Sequence, residues 1–387
     1  MSAKITLKEW LPVLGMTCSA FIFNTSEFMP VALLTDIARD FAMSEALAGS
    51  MISIYAWVVT LMSLPLMLLV CKMEFKKLLL IVIGVFCASQ IASAMAPSFM
   101  VLLLSRIGVA CSHAIFWSIA APMAVRAIAP EHKAFALSMI VTGSSVAVIF
   151  GLPLGRIIGL SLGWRMTFIC VGILSFLIIV YLSFVFPKLE NRSTFSLKKL
   201  PELLKSRALI GIYILTLAVS TSYFTSYSYI EPYLKQVALL SDDAVTSSLI
   251  IFGVFGIVGS MLFTRLYDKK PQAFITGSTA LIAISLILLH ASTISFAGVI
   301  IIAAIWGMSA TAFNVALQAE IIKQSSQEST AIAMSVFSGI FNLGIGCGTL
   351  FGGAVSTYMA IDYIGYVGGI IALAATLYAA LKLGRII

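Results

Sequence analysis

Long hydrophobic runs, separated by short polar breaks, dominate this sequence. Each run approaches or exceeds the roughly 20 apolar residues that a helix needs to cross the hydrocarbon core of a bilayer. The pattern therefore predicts an all-α integral membrane protein with twelve transmembrane helices. The predicted spans are residues 10–34, 46–71, 78–97, 99–124, 134–158, 164–187, 208–230, 244–264, 272–290, 293–318, 330–353 and 360–381.

Composition supports the pattern. Of the 387 residues, 60% are hydrophobic and 10% are charged, whereas soluble domains carry about 25% charged residues. Twelve spans use about 240 residues, so the remainder suffices only for short connections and excludes a separate soluble domain. The first hydrophobic run contains Glu27 and lacks a cleavable signal pattern, and we expect it to be retained as a span.

Basic residues predict the orientation of the chain. With a cytoplasmic N-terminus, 19 of the 24 Lys and Arg residues fall in cytoplasmic segments or at their edges, as the positive-inside rule requires. Arg39, Arg156, Arg165 and Lys235 lie on or near the outside, and Arg106 lies within a span. An even number of spans returns the C-terminus to the cytoplasm. The net charge of +8 is thus an orientation signal, and nucleic acid is not an expected partner.

Two features recur at one offset and indicate a duplicated unit. Gly151, Gly155 and Gly159 in the fifth span correspond to Gly344, Gly348 and Gly352 in the eleventh, 193 residues later. The pair Lys76-Lys77 recurs at the same offset as Lys269-Lys270. The predicted organisation is therefore two pseudo-symmetric six-helix bundles, residues 1–187 and 208–387, joined by a basic cytoplasmic linker at 188–207.

The sequence lacks the residue patterns typical of ATP hydrolysis, metal binding and nucleophilic catalysis. The sequence has no G-x-x-x-x-G-K-[ST] phosphate loop, and its six cysteines lie in or beside apolar runs without metal-ligand spacing. No nucleophile is placed beside a credible base. We expect no enzyme, no cofactor and no metal, and an ion gradient remains as the energy source for moving a small molecule.

Glu27 and Arg106 are the candidates for proton coupling. Each lies seven residues from the outer end of its span, a depth of about 10 Å at 1.5 Å per residue, so the two can meet. A carboxylate inside the membrane is costly and usually functional, and its proton affinity depends on its partner and on desolvation. The alternative is a static ion pair that fixes helix packing.

His113 lies two helical turns beyond Arg106 on the same face, with Trp117 continuing the stripe, and Asn24 shares the face of Glu27. Histidine titrates near neutral pH. His113 is therefore a candidate for proton movement or substrate binding, and the alternative is a histidine that only completes a hydrogen bond.

The second half carries neutral polar stripes and no charged pair within its predicted spans. Hydroxyl, amide and aromatic groups suit a hydroxyl-rich ligand, although interhelical hydrogen bonding would also explain them. The candidate substrate-binding residues here are Tyr223, Tyr227, Asn314, Gln318, Ser338 and Asn342. The glycine triplets predict close helix packing, and Pro153 between Gly151 and Gly155 adds a candidate hinge.

Several stretches resemble a known family. Gly151-Leu-Pro-Leu-Gly155, Gly163-Trp-Arg165 and Arg265-Leu-Tyr-Asp268-Lys-Lys270, together with Arg106 and the two halves, resemble the twelve-span drug/proton antiporter branch of the major facilitator superfamily. Phe21 to Phe28, Tyr55 to Val59, and His113 to Ser118 resemble the bacterial sugar efflux transporters of arabinose and isopropyl-thiogalactoside.

This resemblance implies a multi-pass, monomeric transporter of the bacterial inner membrane that exports sugars in exchange for protons. It implies that Glu27 and Arg106 form the coupling site. The first half's substrate-binding candidates are Asn24, Tyr55 and Trp117.

One loop departs from the family pattern. Leu68, Lys72 and Phe75 occupy the Gly, Asp and Gly positions of the loop after the second span, although Asp268 is kept in the second half. Two alternatives to a sugar exporter stay open, a drug/proton antiporter and a membrane sensor that does not transport. The first differs in substrate, and the second would not need a titratable pair.

Overall fold

The computed structural model describes residues 6–70, 72–129, 132–189, 205–325 and 330–382. The described residues contain helices and connecting turns and no β-strand. Most of the predicted linker, residues 190–204, lies outside the described residues.

In the first part of the chain the helices follow the predicted spans closely. They are α1 (Leu7–Ala32), α2 (Leu34–Asp40), α3 (Glu45–Val70), α4 (Phe75–Ala94), α5 (Phe99–Arg126), α6 (Lys133–Val146), α7 (Leu152–Leu162) and α8 (Trp164–Val185). A π-helical turn, Ala147–Gly151, joins α6 to α7 within the predicted fifth span. Pro153 is the second residue after this turn, and both features remove regular i to i−4 hydrogen bonds.

The remaining helices are α9 (Arg207–Tyr227), α10 (Ile230–Gln236), α11 (Asp242–Leu266), α12 (Pro271–Ile287), α13 (Leu289–Ser292), α14 (Phe296–Gln324), α15 (Thr330–Tyr358) and α16 (Ile364–Leu381). Within the described residues, ten helical stretches are long and apolar enough to cross a membrane. The helix α12 is apolar but shorter, and α1, with prolines at 12 and 30, is not among the ten. The count of twelve spans therefore stays a prediction.

The helices pack into two compact units. One takes its described residues from Met1–Leu33 and Leu61–Phe195, and the other takes them from Leu34–Thr60 and Ser196–Ile387. The helix α3 thus contributes to both units. The predicted division at 188–207 was drawn from charge and repeats alone, and it remains a prediction.

The two units share several internal helix-to-helix contacts. In the first, α1 packs against α6, α7 and α8, and α4 packs against α5 and α8. In the second, α9 packs against α15 and α16, and α12 packs against α14 and α16. The first, third, fourth, fifth and sixth spans of the predicted repeat therefore make corresponding contacts in each unit, as expected for a duplication.

Glu9 fixes the beginning of α1. Its carboxylate accepts hydrogen bonds from the Thr6 backbone N–H at 2.9 Å, from the Thr6 hydroxyl at 2.8 Å, and from the Ala129 N–H at 2.9 Å. These donors, those of Thr6 first, hold the pKa of Glu9 below its usual value. The same carboxylate thus caps α1 and ties it to the turn that follows α5.

Candidate functional site

Arg106 of α5 is buried, with 1% of its surface exposed, and it binds α1 at Ser26. Its Nη1 donates to the Ser26 hydroxyl at 3.0 Å, and its Nη2 donates to the Ser26 carbonyl at 2.9 Å. Pro30, four residues later, has no N–H with which to take that carbonyl in the helix. The proline therefore leaves the Ser26 carbonyl without its helical donor, and Arg106 donates to it instead.

Glu27, the residue after Ser26, pairs with His113. The distance from Glu27 Oε2 to His113 Nε2 is 3.7 Å, and the two side chains are 10% and 4% exposed. The sequence predicted that Glu27 and Arg106 pair directly. In the structure the Arg106 guanidinium donates to Ser26, and the side chain that pairs with Glu27 is His113. Arg106 is still close enough for its charge to act on both Glu27 and His113.

Aromatic rings surround this pair. Phe23 stacks on Phe116 with ring centroids 4.2 Å apart and packs against Phe86 at 4.1 Å. The ring of Trp117 lies 6.1 Å from that of His113. Asn24 is half-buried on α1, one turn before Glu27. The surrounding side chains are mostly apolar, so the charges of this cluster are screened little.

The second unit has an aromatic cluster of its own. Tyr223 and Tyr227 of α9 stack at 4.9 Å, and Trp306 of α14 packs edge-on against both, at 5.3 and 5.8 Å. Phe252 of α11 completes the cluster, 5.0 Å from Tyr227. Tyr227, Phe252 and Trp306 line a small apolar cavity, and Trp306 Nε1 has no hydrogen-bond partner among the described residues.

Polar candidates of the second unit lie on α14 and α15. The Gln318 amide donates to Asn314 Oδ1 one turn earlier. Asn342 donates to the Ser338 carbonyl at 3.0 Å, while its buried Oδ1 has no hydrogen-bond partner in the described part of the chain. Ser338 is exposed and Tyr55 is buried on α3. The amides keep unused hydrogen-bonding capacity that a polar ligand could take.

The glycine triplets lie at close helix contacts. A Cβ added at Gly151 or Gly159 would overlap Thr25 or Leu33 at the α1 face, and one at Gly155 would lie 3.1 Å from Met29 Cγ. In the second unit, the corresponding residues Gly344, Gly348 and Gly352 meet Ser220, the Thr221 carbonyl and the Thr225 carbonyl of α9. Both triplets thus allow equivalent helix pairs to approach closely. The hinge at Pro153 stays a prediction.

Sequence reasoning missed several buried polar residues. Ser26 and Gln90 are fully buried, and the Gln90 amide donates to the Ser26 hydroxyl. Pro30 four residues after Ser26 is the signal that could have indicated a free carbonyl. Arg156, expected near the outside, is fully buried and donates to the Ala32 carbonyl at 2.7 Å.

Glu320 and Lys323 form a charged pair on α14, just beyond the predicted tenth span. The predicted tenth span ended at 318, where hydropathy falls, but α14 continues to Gln324. Glu320 is fully buried, accepts from the Tyr267 hydroxyl at 2.5 Å, and lies 3.5 Å from Lys323 Nζ. Helical structure thus extends one turn beyond the apolar run.

Comparison with known proteins decides the family. The sequence profile of the Major Facilitator Superfamily matches residues 16–338. The chain belongs to the major facilitator superfamily. The family assignment identifies it as a membrane transporter rather than an enzyme, and as a secondary transporter of small molecules.

Solved structures of other major facilitator proteins share the fold. A bacterial homologue of the human lysosomal transporter Spinster, in an inward-facing and unoccupied conformation, matches with a TM-score of 0.85 at 16% identity, over 99% of this chain and 98% of that one. A mutant of the peptide transporter POT, in complex with alafosfalin, matches with a TM-score of 0.74 at 12% identity, over 98% of this chain and 96% of that one. At these identities the likeness shows the fold alone.

Proposed function

We propose that this chain is a proton-coupled antiporter that exports small sugars or sugar-like solutes from the bacterial cytoplasm. The observation that carries the proposal is the pairing of Glu27 with His113 beside Arg106. A family member that uses a proton gradient needs a titratable group inside the membrane whose charge state responds to its surroundings. Glu27 has a histidine partner at 3.7 Å and a permanent cation nearby.

The coupling step follows from electrostatics. A deprotonated Glu27 is stabilised by the adjacent Arg106 charge, and a protonated one is favoured by the surrounding apolar rings. Any rearrangement of the bundle that changes the distance from Glu27 to Arg106 therefore changes the affinity of Glu27 for a proton. Binding and release of the proton on opposite sides of the membrane would drive export of the solute.

The sugar assignment rests on the second unit. Aromatic faces such as those of Tyr223, Tyr227 and Trp306 suit the apolar faces of a sugar ring, and the amides of Asn314, Gln318 and Asn342 suit its hydroxyls. The apolar cavity between Tyr227, Phe252 and Trp306 favours a second candidate, a drug/proton antiporter. A lipophilic cation would fill an aromatic-lined site without needing the amides.

The test is transport in proteoliposomes under an imposed pH gradient, with L-arabinose, isopropyl-thiogalactoside and a fluorescent lipophilic cation offered separately. We expect the gradient to drive the sugars. Transport of the cation alone would favour the drug antiporter, and no gradient-driven transport of any of the three would reject the proposal.

Glu27→Gln should remove gradient-driven transport because an amide cannot release a proton. Exchange of substrate across the membrane without a gradient should persist. The matched control is Glu320→Gln, which neutralises another buried carboxylate whose partners are Tyr267 and Lys323. If Glu27→Gln is driven by the gradient as well as the native protein, Glu27 does not couple the proton.

A further inference from the structure

Ser26 offers Arg106 two neutral acceptors directly beside Glu27. The hydroxyl and the carbonyl of this one residue take the two terminal nitrogens of the guanidinium, at 3.0 and 2.9 Å. Planar guanidinium groups bind such a pair of acceptors as a fork. The next residue along α1 carries a carboxylate, which is the stronger acceptor for the same fork.

Pro30 makes one of these acceptors available. In an uninterrupted helix, the Ser26 carbonyl would accept the N–H of residue 30. A proline there supplies no N–H, and a free carbonyl in a dry interior must find another donor. Arg106 is that donor in the structure.

Gln90 of α4 binds the other acceptor, the Ser26 hydroxyl. It is fully buried, and its side-chain amide donates to the Ser26 hydroxyl. The hydroxyl thus lies between two donors from two different helices, α4 and α5. This arrangement fixes the position at which Arg106 meets α1.

We propose that Ser26, Gln90 and Pro30 are positioning residues that hold the Arg106 guanidinium in a resting place beside Glu27, which it leaves for the Glu27 carboxylate when that group loses its proton. The inference rests on the proposed proton coupling and names the residues that tune it. When Arg106 rests on Ser26, Glu27 faces His113 and can keep its proton. When Glu27 is ionised, the guanidinium shifts by one residue along α1 and neutralises it.

Arg156 and Tyr181 are the other titratable or charged groups that contact α1 through hydrogen bonds from the elements packed against it, among the described residues. The helices α5, α6, α7 and α8 and the π-helical turn pack against α1. Among the described residues, four titratable or charged side chains of these elements form hydrogen bonds or ion pairs with α1. Arg106 binds Ser26 and His113 pairs with Glu27, while Arg156 binds Ala32 and Tyr181 binds Leu11. Leu11 lies about 24 Å from Glu27 along the helix, at 1.5 Å per residue. Arg156 is fixed at the end of α1 and does not depend on Ser26.

The test measures protonation of Glu27 without a substrate. Infrared difference spectra of the protein in liposomes, native minus Glu27→Gln, isolate the carbonyl stretch of the protonated Glu27 side chain across a pH titration. Pro30→Ala restores the N–H that takes the Ser26 carbonyl, Ser26→Ala removes the hydroxyl, and Gln90→Met removes the amide at similar volume. Each variant frees Arg106 for Glu27, which favours the ionised carboxylate.

We expect the pH midpoint of Glu27 protonation to fall by about one pH unit or more in Pro30→Ala and Ser26→Ala, the size of effect that a nearby opposite charge produces. Gln90→Met should shift it in the same direction by less, and Ser26→Thr, which keeps a hydroxyl, should restore the native midpoint. Pro12→Ala and Ser19→Ala are matched controls on α1, because among the described residues Ser19 bonds within its own helix, to the Gly15 carbonyl. The controls should titrate as the native protein does.

Unchanged or raised midpoints in both Pro30→Ala and Ser26→Ala, in protein that elutes as the native form does, would overturn this inference and leave the proton coupling intact. A native Glu27 that does not titrate between about pH 5 and 10 would overturn both. If one variant does not fold, the result of the other is used, because Ser26→Ala removes the hydroxyl that Arg106 binds and Pro30→Ala supplies the Ser26 carbonyl with a competing donor.

Discussion

At the scale of single residues, the first unit places a permanent cation, a histidine and a carboxylate within one small cluster. Arg106 cannot deprotonate at any physiological pH, so its effect on Glu27 depends only on where it lies. The structure shows it on Ser26, with 1% of its surface exposed. Substitutions at Arg106 therefore separate the contribution of charge from that of geometry.

Arg106→Lys keeps the charge but loses the fork that spans the two Ser26 oxygens, and Arg106→Ala loses both. We expect gradient-driven transport to fall at least tenfold in the lysine variant, and substrate binding to lose its pH dependence in the alanine variant. The measurement is binding of isopropyl-thiogalactoside from pH 5 to 9 beside the native protein. A native pH profile in Arg106→Ala would make the cluster purely structural.

The side-chain amides of Asn314 and Asn342 in the second unit are predicted to contribute to substrate affinity. Asn342 keeps a buried oxygen without a partner among the described residues, and Asn314 accepts only the Gln318 amide within its own helix. Asn314→Ala and Asn342→Ala should each weaken sugar binding roughly fivefold, the equivalent of about 1 kcal/mol for one hydrogen bond.

Binding by calorimetry or by tryptophan fluorescence checks this. Ser356→Ala on the same helix as Asn342 removes a hydroxyl that bonds to the Gly352 carbonyl, and it should leave affinity unchanged. Native affinity in both asparagine variants would favour a helix-packing role for these amides.

At the scale of elements, close helix pairs repeat in the two units. Gly151 to Gly159 bring α7 and the preceding turn to α1, and Gly344 to Gly352 bring α15 to α9. Side chains at Gly348 and Gly352 would meet backbone carbonyls, which cannot move aside cheaply, whereas those at Gly155 and Gly159 would meet the side chains of Met29 and Leu33. The repeated glycines are therefore explained by packing in each unit by itself.

Gly348→Ala should lower the free energy of unfolding by about 1–3 kcal/mol, since its Cβ would overlap the Thr221 carbonyl and lie 2.9 Å from Phe224 Cβ. Gly339→Ala on the same helix meets nothing within 4 Å and should be neutral or stabilising by up to about 1 kcal/mol. Thermal unfolding in detergent compares the two variants. Equal melting temperatures would contradict close packing at Gly348.

At the scale of the whole molecule, the basic residues predict which face of the membrane each connection occupies. Ser241 and Lys270 are both exposed and lie near the two ends of α11 and the turn that follows it. The 25 residues of α11 span about 37 Å at 1.5 Å per residue, enough to cross the hydrocarbon core. The two positions should therefore lie on opposite sides of the membrane.

In a cysteine-free background, a cysteine at position 241 should react with a membrane-impermeant maleimide added to intact cells. One at position 270 should react only after the cells are opened. The reverse pattern would invert the predicted orientation, and labelling of both from outside would mean that α11 does not span.

Much of the fold was predictable from the sequence because the bilayer imposes a minimum length on each apolar run. The repeat of sequence features at an offset of 193 residues also indicates that the two halves pack alike. The helical class follows from such patterns, whereas the family was indicated by the resemblance of particular stretches and shown by the family profile. The coupling role of the intramembrane charges stays a prediction. Glu27 and Arg106 were predicted to lie near each other because they share a depth in their spans, and His113 was predicted on the same helix face as Arg106, two turns away. The pairing of His113 with Glu27 was not predicted.

Tertiary structure decided which of these groups touch. The Arg106–Ser26 contact depends on a carbonyl that Pro30 frees and on Gln90 arriving from another helix, and neither effect appears in a hydropathy profile. The burial of Arg156 and Glu320 likewise depends on which helix faces pack inward. A sequence determines depth in the membrane through the energy of burying polar groups, whereas rotation and partner choice are set by side-chain packing among several helices at once.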